Sequence, residues 1–148
     1  DRERVFVTKR LENGGEELLY NKLSLGIGGH INPIDDESDM RISLMNGLNR
    51  ELDEEVDIKG EYELKYQDII YTEEDLVSQC HIGLLYHLYP TTDEFIVKVK
   101  EKDILEGDMV EIESLLSIVD SDIDLEEDIT LEAWAKIALE NIKTKRGK

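Results

Sequence analysis

"RELDEEVDI", Arg50 to Ile58, sets five acids and one arginine in nine residues. In an acidic chain such a run is ordinary solvated surface unless its spacing gathers the acids. From about Ser38 to Val56 apolar residues recur at helical spacing, with Ser38 or Asp39 placed to cap the N-terminus. Ile42, Met45, Leu48, Leu52 and Val56 form one stripe, the expected core face. Glu51, Glu54 and Glu55 are spaced i, i+3 and i+4, so their carboxylates share a face beside that stripe. Asp53 points elsewhere, and Arg50 lies one turn before Glu54 and can pair with it. Gly47 falls within the acidic face. A mid-helix glycine costs about 1 kcal/mol relative to alanine; either that cost is simply tolerated or another backbone packs there, the glycine-rich strand ending at Gly28-Gly29 being the candidate. Three carboxylates on one face repel each other, and a hard divalent cation relieves that. Spacing alone leaves both readings open, a solvated face and a metal site.

The chain has 148 residues, 40% of them apolar, which suits one domain over 1–148 with a single core. It begins at Asp1 rather than Met, which points to sequence before it. No apolar run is long enough for a membrane span, and no signal-peptide pattern is present. The formal charge of −19 opposes binding to a nucleic-acid backbone. A bridging divalent cation would still allow phosphates to bind. The single cysteine, Cys80, fits a cytoplasmic setting and reads as a buried small hydrophobe.

Around the helix, the chain alternates short elements. "VFV" (5–7) reads as a strand, Asn13-Gly14-Gly15 as a turn, and Leu23–Ile27 as a period-two strand. "NPIDDESD" is a polar loop. "EYELKYQDIIY", "VSQCHIGLLYHLY" and "FIVKVK" read as strands, and "MVEIESLLSIV" as strand into short helix. "SDIDLEEDI" is an acidic loop. "TLEAWAKIALENI" is an amphipathic helix with Leu131, Trp134, Ala138 and Ile142 on one side, followed by a basic tail that suits its C-terminal dipole. The order predicts an α+β fold with a mixed sheet.

With these residues in place, "GG…RELDEEVDI" resembles the Nudix box, Gly-x5-Glu-x7-Arg-Glu-U-x-Glu-Glu-x-Gly-U with U a bulky aliphatic. The second half matches from Arg50 to Ile58 with one departure, Asp57 for glycine at the helix end. Aspartate tolerates the left-handed conformation such a position often needs. The family glycine corresponds to Gly29. Between it and Arg50 the chain is longer than the pattern by roughly seven residues, read as the insertion "NPIDDES". The upstream glutamate falls on Ile42, and Glu37 or Asp39 stands as a substitute.

The resemblance implies a Nudix-type α/β/α sandwich. It also implies Mg²⁺ or Mn²⁺ on Glu51, Glu54, Glu55 and the Gly29 carbonyl, with Arg50 orienting the glutamates. The implied reaction is attack of water on a diphosphate linkage in a small-molecule nucleoside diphosphate derivative. Glu51 or Glu54, ahead of Glu55, would accept the proton. Glu101 and Glu106 are candidates for a further loop acid. A homodimer is compatible with the family. Isopentenyl-diphosphate isomerases share the fold, but no cysteine lies near the box. A Nudix-fold binding or regulatory module without catalysis is the alternative.

Among other residues, His30 follows the double glycine at the edge of the proposed site and is a candidate substrate contact. His81, placed in the "QCHIGLLYHL" strand, is another; His87 reads as structural. The three histidines show no zinc spacing. Arg10 and Lys22 could reach phosphates but read as surface, and Trp134 reads as core. Gly26-x-Gly28-Gly29 opens no helix, which argues against a dinucleotide loop.

Overall fold

Pairing on both sides lengthens the first strand beyond its apolar core. β1 (Arg4–Arg10) runs antiparallel to β7 (Leu105–Glu111), from Arg4 opposite Glu111 to Arg10 opposite Leu105. On its other edge Val7 faces Leu25 of β2 (Lys22–Leu25), again antiparallel. The computed structural model describes residues 3–11, 22–76, 78–100, 102–120 and 130–146. The expected Asn13-Gly14-Gly15 turn, the acidic 121–129 loop and Glu101 lie outside them. The period-two strand was expected to reach Ile27 but stops at Leu25. Gly26 turns the chain at φ +72, and its N–H donates to the Phe6 carbonyl at 2.7 Å.

The expected C-terminal helix also starts later. Thr130 and Leu131 form β8, parallel to β2 through Lys22–Thr130 and Leu23–Leu131. The helix α3 is Ala133–Arg146, with Lys143, Lys145 and Arg146 in its last turn as the dipole favours. Among the described residues the strands form a mixed sheet β7-β1-β2-β8 and two pairs. One pair is β3 (Val56–Lys59) with β6 (Ile96–Val99), the other β4 (Tyr62–Ile70) with β5 (Gly83–Pro90). β7 runs directly into α2 (Ile112–Asp120), the strand-to-helix switch read from the sequence. This is a mixed α+β fold.

The core fills the space between one face of the mixed sheet and helices α2 and α3. Val7, Ile112, Leu115, Leu116 and Leu139 are buried together, with Val5, Leu23, Leu25, Val110 and Ile142 packed around them. Trp134 is half-buried under β5. A side chain at Gly83 would meet its ring within 2.5 Å. Among the described residues no helix is long and apolar enough to cross a membrane.

Helix α1 (Met40–Glu55) begins where Asp39 accepts the Arg41 N–H at 2.9 Å, choosing between the two expected caps. It ends by passing straight into β3. Lys100 holds that end, donating its N–H to the Glu55 carbonyl at 2.8 Å and its Nζ to the Asp53 carbonyl. The expected core stripe is met in part: Val56 is buried and Met45, Leu48 and Leu52 are half-buried. Ile42 is half exposed, however, and the fully buried residues within the helix are Ser43 and Gly47. Small residues are buried because neighbouring chain comes close, and size-weighted periodicity overlooks them. Asp57 is likewise not a left-handed helix end. It lies in extended β3 opposite Lys98, and the positive-φ turn comes at Gly60.

Candidate active site around Arg50

The segment between Gly29 and α1 is shaped by a short 3-10 turn, Pro33–Asp35. Proline suits its first position, having no N–H to lose there. Asp35 at its end folds back to accept the Asn32 N–H at 2.7 Å and is only 4% exposed. Its carboxylate faces Gly47 of α1. A Cβ at Gly47 would stand 3.2 Å from Asp35 Oδ2 and 2.5 Å from Ile31 Cδ1. The expected close approach at Gly47 is therefore present. Its partners are Ile31 and, from the insertion, Asp35, rather than the backbone of the glycine strand.

Arg50, on the next turn of α1, occupies the centre. Its Nε and Nη2 form a fork on Asp35, at 2.9 Å to Oδ1 and 3.1 Å to Oδ2. Nη2 also donates to the His30 carbonyl at 2.7 Å. Nη1 reaches Glu51 Oε1 and Glu54 Oε2, each at 2.9 Å. One guanidinium thus joins the insertion, the glycine loop and two glutamates of the helix. The expected Arg50–Glu54 pair is present. The partner left open by the sequence is Asp35, not Glu37 or Asp39. Asp39 caps α1 and pairs with Arg41 at 2.8 Å, while the Glu37 N–H donates to Ser43 Oγ at 2.9 Å. The Asn32-Pro33-x-Asp35 pattern, an N-cap candidate followed by proline and an acid, was the available sign of that turn.

The Arg50 fork, then the Asn32 N–H, hold the Asp35 carboxyl below the ordinary carboxylate value of 3.8, against the opposing effect of burial. With a depressed native pKa, the unfolded state takes up the proton first as pH falls. The stability Asp35 contributes is complete above pH 3.8 and is lost as pH falls through the lower folded value. Asp35→Asn is therefore expected to lower Tm at pH 7. The gap from wild type should narrow steadily below pH 3.8. Thermal melts across that range check it, and a gap that stays constant would contradict the linkage.

Glu51 lies directly on Gly29. A Cβ built at Gly29 would sit 1.9 Å from Glu51 Cδ, so only glycine leaves the carboxylate its place. Because both oxygens touch the same Nη1, the carboxylates of Glu51 and Glu54 are separated by no more than twice 2.9 Å. Glu55 follows on the helix, partly buried. Among the described residues no three His, Cys, Asp or Glu side chains stand as a ready metal cage. Of the three carboxylates expected to converge at Gly29, Glu51 lies against it and Glu54 shares Arg50 with Glu51, while Glu55 does not complete a three-acid group among the described residues. Two close carboxylates beside a glycine that leaves them space are hard oxygen donors, and they fit a hard divalent cation.

His30 and His81 meet. Their Nε2 atoms are 3.0 Å apart. His81 is not in a strand as expected; it follows the 3-10 turn Ser78–Cys80 and precedes β5. Cys80 is exposed on that turn, correcting the buried reading that its apolar neighbours suggested. His87 is half-buried in β5 with Nδ1 3.1 Å from the Tyr89 hydroxyl, and burial lowers its pKa, as suits a structural histidine. Arg10 and Lys22 act on Glu132, whose carboxyl is pushed up by burial. Glu106 is exposed on β7 opposite Lys9.

No family model matches the chain. It is 37% identical over 115 residues to protein YmaB of Bacillus subtilis (strain 168), across 75% of this chain and 54% of that protein. It also matches the crystal structure of Tm1382, described there as a proposed Nudix hydrolase. That match has a TM-score of 0.70 and 32% identity, over 96% of this chain and 65% of that one. The chain therefore spans about half the length of YmaB and just under two thirds of Tm1382. At that structural likeness, the chain has a Nudix-like fold.

Proposed function

We propose that this chain is a Nudix-type hydrolase that uses Mg²⁺ or Mn²⁺ to cleave the diphosphate linkage of a nucleoside diphosphate joined to another moiety. The observation that carries the reading is the Arg50 hub, which holds Glu51 and Glu54 together beside Gly29. The description of Tm1382 supports the same class. Glu51, Glu54, Glu55 and the Gly29 carbonyl would hold the cation, which when bound polarises phosphoryl oxygens and acidifies bound water. Glu51 or Glu54 takes the proton from the attacking water. Arg50 keeps those carboxylates oriented, and Asp35 keeps Arg50 in place. His30 and His81, side by side at the rim, contact a substrate phosphate.

The test is a panel of nucleotide sugars, dinucleoside polyphosphates, ADP-ribose and nucleoside triphosphates, assayed with Mg²⁺ and Mn²⁺. Hydrolysis of one class, abolished by chelator and restored by metal, supports the reading. A second reading, a Nudix-fold binding module without catalysis, draws on the missing three-acid group among the described residues. Binding of a panel member without turnover, unaffected by Mn²⁺, would select it.

A further inference from the structure

His30 and His81 are 51 positions apart in sequence, yet their Nε2 atoms are 3.0 Å apart. Their ring centroids are 5.0 Å apart and the planes are tilted by 52°. At that separation an N–H···N hydrogen bond needs one Nε2 to donate and the other to accept, the roles depending on the tautomers. The same spacing suits a shared ion. Two imidazole nitrogens at about 2.0–2.1 Å from one metal stand about 2.9 Å apart at a right angle and about 3.4 Å apart at a tetrahedral angle. The observed 3.0 Å lies inside that interval.

The backbones carrying the two rings are fixed. The His30 carbonyl is held by Arg50 Nη2 at 2.7 Å. The His81 N–H donates to the Ser78 carbonyl at 3.2 Å, and Ser78 is tied to Asp75 through its N–H at 2.7 Å and its hydroxyl at 2.9 Å. His30 is exposed and His81 half-buried, so an ion with its waters has access.

We propose that His30 and His81 form a two-nitrogen site for a borderline divalent transition metal, Zn²⁺, Ni²⁺ or Cu²⁺, completed by water. Imidazole suits these ions and is a poor ligand for Mg²⁺, so the site is chemically separate from the carboxylates on Arg50. On binding, the ring protonated at Nε2 shifts to its Nδ1 tautomer, so a neutral pair frees both nitrogens without net proton loss. The inference rests on the pair and not on the hydrolase reading, although an ion held there would compete with a phosphate at the same rim.

The test uses the full chain, freed of metal and then held in excess Mg²⁺ to fill carboxylate sites. Zn²⁺ titration by calorimetry should give one site per chain. His30→Gln and His81→Gln should each weaken it by at least about tenfold. Cu²⁺ added at one equivalent should show electron-paramagnetic splitting from two nitrogens, reduced to one in either variant. Circular dichroism confirms that the variants are folded. Zn²⁺ binding that is absent, equal in wild type and variants, or sensitive to only one histidine overturns the proposal.

Discussion

Glu51→Gln is expected to lower hydrolysis by about 10²–10⁴-fold, the range that a positioned acid–base group contributes. Glutamine keeps the volume and loses the charge, so the helix stays folded while the group against Gly29 no longer takes a proton. The side chain is largely enclosed, with Arg50 at 2.9 Å on one side and the Gly29 backbone on the other. Gly29→Ala is the companion change. It removes no charge, but its methyl would occupy the place of the Glu51 carboxyl. Misplacement of a reacting group by about 1 Å can cost on the order of 10²-fold, so this variant should also lose turnover. Steady-state kinetics on the substrate identified by the panel read both. Wild-type turnover in Gly29→Ala would show that the carboxylate need not sit there.

The second large effect concerns the core. Leu139 is 1% exposed and is the largest fully buried side chain among the described residues, enclosed with Val7, Ile112, Leu115 and Leu116. Leu139→Ala removes buried methyl groups and leaves a cavity, a loss of about 2–5 kcal/mol. Urea unfolding should show a lower midpoint at an unchanged slope. The Arg50 hub lies on other elements, so the folded variant should retain its activity below the transition. A stability loss under about 1 kcal/mol would mean that the sheet and the helices close over the gap.

Much of this arrangement could be read from spacing. The α1 helix, a cap at Ser38 or Asp39, the Arg50–Glu54 pair and the β7–α2 switch all follow from local periodicity, which acts over a few residues. What escaped was decided by non-local contact. Asp35 was passed over because "NPIDDES" has four acids or hydroxyls with equal local claim, and only the 3-10 turn aims one at Arg50. The buried face of α1 was read only in part because Gly47 is buried under Asp35 and Ile31, and Ser43 against the Glu37 backbone, with no large apolar side chain to mark either. Cys80 sits among apolar letters, yet a turn lifts it to the surface. The meeting of His30 and His81 is a contact across 51 positions, which no window around either residue contains.

The Arg50 hub has a consequence for the order of folding. Gly29, His30, Asp35, Arg50, Glu51 and Glu54 all belong to one continuous stretch, 29–54, with Asp35 and Arg50 15 positions apart. Loops of about that length close on a sub-microsecond scale, whereas distant strand pairs wait on a larger loss of chain entropy. The half of the site on Arg50 can therefore form as a local unit, while His81 arrives only when β5 docks. Pulse-labelled hydrogen exchange should protect the amides of α1 before those of β5, and simultaneous protection would rule that sequence out.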